Sequence, residues 1–155
     1  MKRILNFIVL LLLVSLTAIA KGDKPLQYDI TGAGSGNEGM VLVKVFVYAN
    51  KVTDQDLKSA AVHGVVFRGF SGNNSGVKQP AMAPAESEAD HAEFCKAFFA
   101  TDGDCQSYAS IIAASYDRVK TPKGYKNGAI VQVNKSSLRK ALEKAGVVRS
   151  LSSGF

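Results

Sequence analysis

The chain has 155 residues, with 19 lysines and arginines against 13 acidic residues, for a formal net charge of +6. That length supports one domain with a real core, and no apolar stretch beyond the N-terminus approaches membrane-spanning length. Aromatic residues do not interleave with the basic ones in a stacking pattern, which argues against nucleic acid as a partner.

Residues 1–20 read as a secretory leader. Lys2 and Arg3 form a positive head, Phe7 to Leu13 an apolar core, and Ala18-Ile19-Ala20 a small-residue cleavage site followed at once by Lys21, Asp23 and Lys24. The apolar run falls short of the ~20 residues of a spanning helix, and no cysteine near the cut offers a lipid anchor. The expectation is cleavage after Ala20, one domain over residues 21–155, no membrane span after cleavage, and a periplasmic or secreted location. Charge is unevenly placed. Residues 21–114 carry 8 basic and 11 acidic side chains, residues 115–155 carry 9 and 2. The late basic residues flank predicted elements rather than forming one block, so they read as a solvated face.

Leu26, Tyr28 and Ile30 alternate with polar residues in a first strand over residues 26–31. Four glycines in residues 32–39 predict a loop or bulged turn, and the following strand makes an antiparallel pair with the first. A phosphate loop is disfavoured, because the glycine spacing is wrong and a strand rather than a helix follows. Residues 40–49, M-V-L-V-K-V-F-V-Y-A, predict a central strand, apolar on both faces and covered on both for much of its length. Thr53 and Asp56 resemble a capping box, with Leu57, Ala60 and Ala61 on one helical face and Gly64 as the stop. Residues 65–70, V-V-F-R-G-F, read as the next strand, compatible with a βαβ unit and a parallel pair. Residues 71–85 form a long polar loop. Residues 86–100 predict a helix with a buried stripe of His91, Phe94, Cys95 and Phe98. Gln106 to Tyr116 fits both helix and strand spacing; the turn at Thr121-Pro122-Lys123-Gly124 and the clear strand over residues 129–133 favour a hairpin. A last helix, capped by Ser136 or Ser137, turns Leu138, Ala141, Leu142 and Ala145 inward and stops at Gly146.

Cys95 and Cys105 are the only cysteines. In an exported chain the pair predicts a disulfide. The competing readings are zinc held by His91, Cys95 and Cys105, which lacks a clear fourth ligand, and a thiol nucleophile served by His63 or His91, which lacks a group to orient the histidine. His63 and His91 otherwise read as structural histidines. The carboxylates Glu86, Glu88, Asp90 and Glu93 sit where they complement a helix N-terminus, and no G-x-S-x-G motif occurs. No catalytic, cofactor or metal-binding residue is therefore assigned.

Tyr28-Asp29-Ile30-Thr31-Gly32-Ala33-Gly34, Ala61 through Phe70, and Gly128 through Gly146 resemble a family of small exported proteins of Gram-negative bacteria. The resemblance spans nearly all of residues 21–155. It implies an envelope or secreted location and offers no catalytic residues to carry over. The combined expectation is an α+β fold: a mixed sheet of about five strands, three helices packed on it, and one disulfide. The expected function is non-enzymatic, a binding or assembly module for a protein partner in the envelope or outside the cell, suggested by the polar loop and the basic C-terminal segment. The alternative is a hydrolase or metal-dependent enzyme using His63 or His91.

Overall fold

The computed structural model describes residues 26–72 and 78–150. The leader expected at residues 1–20 lies outside the described residues, as do residues 73–77 of the polar loop and the tail 151–155. The elements run β1 (Tyr28–Ser35), β2 (Met40–Val47), α1 (Asp54–His63), a π-helical turn (Gly64–Arg68), β3 (Phe70–Ser71), β4 (Lys78–Gln79), α2 (Ser87–Asp90), α3 (Ala92–Phe98), a 3-10 turn (Asp104–Tyr108), β5 (Ala109–Ile111), β6 (Asp117–Thr121), β7 (Gly124–Asn134) and α4 (Lys135–Lys144).

The main sheet has the order β1-β2-β7, with β5 and β6 end to end along the far edge of β7. Every strand pairing in it is antiparallel, so the fold is α+β with an antiparallel sheet rather than the expected mixed one. The expected parallel pair fails at residues 65–70. Gly64 keeps helical angles (φ −62°, ψ −43°), and the backbone runs on from α1 into the π-helical turn. The Gly69 N–H then bonds back to the Gly64 carbonyl at 2.8 Å. Val65, Val66 and Phe67 are buried as an apolar run should be, but on helical rather than extended backbone; a short apolar run does not by itself separate the two. Four helices, not three, are present among the described residues, because the segment expected as one helix over residues 86–100 breaks at His91 (φ −118°, ψ 36°) into α2 and α3.

β2 is the central strand in register as well as in sequence. Val43, Val45 and Val47 point to one face and are fully buried, opposite Val131, Ala129 and Asn127 of β7. α1 and α4 contribute Leu57, Ala60, Ala61, Leu138 and Leu142 to the same core. Each fully buried aliphatic side chain contributes about 1.5–3 kcal/mol. The other face of β2 is not sealed: Leu42, Lys44 and Phe46 are half-buried. The expected cover on both faces thus exists on one only. The glycine-rich stretch also differs from expectation. β1 runs on through Gly32 and Gly34, with a register shift between them that bulges the edge strand and discourages pairing with another chain.

No disulfide joins Cys95 and Cys105. Both are free, buried thiols that sit apart. Cys95 lies on α3, whereas the 3-10 turn aims the Cys105 sulfur at α1, 3.4 Å from the Ser59 hydroxyl. Short spacing in sequence placed both in the core without bringing the sulfurs within bonding distance.

Candidate functional site

Two polar constellations stand out, one on each side of the sheet. On the inner side, α1 delivers His63 at its last turn, where the edge strand β1 crosses it. The Tyr28 hydroxyl lies 2.6 Å from His63 Nδ1, and His63 Nε2 lies 3.0 Å from Glu88 Oε1 on α2. A carboxylate only accepts, so Nε2 carries the proton and donates it to Glu88, and Nδ1 accepts from the tyrosine. The His63 ring is held among Tyr28, Phe67 and Phe99, with ring centroids 5.1–5.7 Å away. Arg68, the exposed end of the π-helical turn, stacks on the Tyr28 ring at 4.1 Å and donates to the Tyr28 carbonyl at 3.0 Å. Burial, reinforced by the Glu88 charge and opposed by Arg68, pushes the Tyr28 phenol up to about 12. A Cβ on Gly64 would stand 2.5 Å from the terminal Ile30 methyl, so a larger residue there would displace the end of that side chain.

The chain of bonds Tyr28–His63–Glu88 has the connectivity of a nucleophile, base and orienting acid, but its chemistry runs the other way. The hydroxyl is buried and holds its proton more tightly than a free phenol, and both histidine nitrogens are spent on intramolecular bonds. Such a network ties β1, α1 and α2 together. His91 is elsewhere: its Nδ1 lies 3.1 Å from the Ser87 carbonyl of α2, to which it donates. The thiols are no better placed to react. Burial raises the pKa of both, Cys95 further through Glu88 and Cys105 against the hydrogen bonds from Ser59 and Gln106, and it is the thiolate that attacks. No three His, Cys, Asp or Glu side chains converge to hold a metal among the described residues.

The outer side of the sheet carries the second constellation. The register aligns Asp29, Phe46, Gly128 and Asp117 in one row across β1, β2, β7 and β6. Gly128 has no side chain, so the Phe46 ring lies over it; a Cβ there would come within 2.5 Å of the ring. Lys126 sits over that ring at 4.7 Å and over Tyr48 at 5.5 Å, and Lys44 approaches it at 5.4 Å. Asp29 accepts from the Tyr48 hydroxyl at 2.5 Å and pairs with Lys126 at 3.5 Å, while Lys44 pairs with Asp117. Around this lattice Tyr48, Ile112 and Val119 are exposed.

Sequence reasoning read residues 40–49 as a strand apolar on both faces and assigned neither face a role. The signal lies in register: Gly128 opposite Phe46 and Lys126 beside it become meaningful only once β7 is paired with β2. No known protein family, curated protein or solved structure matches this chain. No helix among the described residues is long and apolar enough to cross a membrane.

Proposed function

We propose that this chain is an exported cell-envelope or secreted protein that works as a non-enzymatic binding or assembly module, docking a protein partner on the outer face of its sheet. The observation that carries the reading is the open aromatic and lysine lattice of Phe46, Tyr48, Lys44 and Lys126, opposite a fully packed valine face. Aromatic side chains flanked by long cations supply contact area and adaptable charge at low ordering cost, the composition of an interface core and rim. The leader-like residues 1–20 support export, and so does the resemblance to small exported proteins of Gram-negative bacteria. The hydrolase alternative through His63 or His91 is weakened by the bonds that engage both side chains.

Protein recovered from the native cell should begin at Lys21. Immobilised, it should retain a discrete envelope partner that Tyr48→Ser releases and Tyr28→Phe does not. Retention unaffected by Tyr48→Ser, no partner at all, or an unprocessed N-terminus in the cytosolic fraction would overturn the reading.

A further inference from the structure

The β6–β7 hairpin has a second character that the outer face does not explain. The register of β2 against β7 ends at the Val47–Asn127 pair, so the rungs Val119–Lys126, Lys120–Tyr125 and Thr121–Gly124 overhang the sheet. On the overhang Val119, Lys120, Pro122, Lys123 and Tyr125 are exposed, as is Arg118 one rung below. Of its cations, Lys126 is paired with Asp29. Arg118, Lys120 and Lys123 have no acidic partner among the described residues. Arg118 stacks instead on Tyr125, its diagonal cross-strand neighbour, at 4.1 Å. Protection of an edge strand by charge accounts for Arg118 and Lys120 on β6. It does not account for Lys123 in the turn, nor for leaving Val119 and Tyr125 uncovered beside them.

From this placement we infer that the hairpin tip is a docking site for an anionic lipid surface. Resting on the envelope reading above, this adds the surface against which the domain is held. A small shaped anion calls for a concave site with convergent donors; three exposed cations outside any ion pair on a hairpin tip match an array of headgroups that needs no pocket. Lysine and arginine stems run along apolar surface and place their charges at the headgroups, and tyrosine suits the boundary between water and acyl chains. The hairpin carries four cations and one acidic residue, Asp117, which pairs with Lys44; Lys126 pairs with Asp29, and the three cations left outside any ion pair make the tip complementary in charge to phosphatidylglycerol and not to a neutral bilayer.

The test is sedimentation of the full chain with phosphatidylcholine vesicles with and without phosphatidylglycerol, all variants compared side by side so that any contribution of residues 1–20 is common to them. Wild type should bind the anionic vesicles selectively and lose them at high salt. Lys120→Gln with Lys123→Gln should weaken binding about thirtyfold, at roughly fivefold per basic side chain near a charged membrane. Lys140→Gln with Lys144→Gln removes the same charge from α4, at the opposite end of β7, and should change binding less than about twofold. Equal binding to neutral vesicles, no effect of the hairpin variant, an equal effect of the α4 variant, or capture by an acidic polypeptide without vesicle binding would each overturn the inference. If vesicle binding fails while the Tyr48-dependent partner is still retained, only this inference falls; loss of both removes the envelope reading as well.

Discussion

Tyr28 is the residue on which the inner network turns, and its proton gives the network a pH signature. Burial lifts its pKa from 10.0 to about 12. Below the ordinary value the phenol is protonated in the folded and unfolded chains alike, so the stabilisation is fully present. Between that value and about 12 the unfolded chain releases the proton while the folded one keeps it, and stability declines by at most about 3 kcal/mol. Titration of tyrosinate absorbance should therefore show one tyrosine ionising near 12, missing in Tyr28→Phe. That variant should lose about 1 kcal/mol in denaturant unfolding at neutral pH. A Tyr28 ionising with the exposed tyrosines would contradict the buried network. None of this was legible in sequence. Tyr28, His63 and Glu88 are separated by intervals with no periodicity, and His63 reads there as a structural histidine. What fixes it is the crossing of an edge strand over a helix end.

At the scale of elements, caps and glycines mark where backbone physics was readable and where it was not. The box at α1 forms as its sequence implies: the Asp56 N–H donates to the Thr53 hydroxyl oxygen at 3.2 Å, and the Thr53 N–H to the Asp56 carboxylate at 2.9 Å. Gly146, at φ 78°, closes α4 as expected, and Val147 and Val148 fold back into the core. The cap of α4 is Asn134 rather than a serine, its side-chain oxygen accepting from the Ser137 N–H at 3.0 Å. The stop of α1 is displaced furthest, from Gly64 to Gly69, because the buried face of α1 continues into Val65 and Val66. Gly69 adopts φ 69°, and a Cβ there would lie 2.5 Å from the Gln79 carbonyl oxygen. Gly69→Ala should cost at least about 2 kcal/mol from backbone strain and overlap, against about 1 kcal/mol for Thr53→Ala. Thermal unfolding that ranks Thr53→Ala as the more damaging would show that the π-helical turn is not fixed as described.

At the scale of the whole molecule, one side of the sheet is committed to the core, the other is open, and the β6–β7 hairpin projects beyond both. The alternation along β2 announced two faces, and valine on one of them announced burial. It did not announce that Leu42, Lys44 and Phe46 would remain uncovered, because that depends on where the helices land. The cysteine spacing suggested a covalent tie that the fold does not make, leaving packing and hydrogen bonds to hold α3 and the 3-10 turn in place. The division of labour between the two sides is the central claim, and cross-linking from defined positions tests it most directly. A photo-reactive residue at Tyr48 or Val119, introduced in the native cell, should give discrete adducts with envelope components, while one at Glu88 or Lys140 should give none. Adducts confined to Glu88, beside the His63 network, would place the working surface on the wrong side of the sheet and contradict the account.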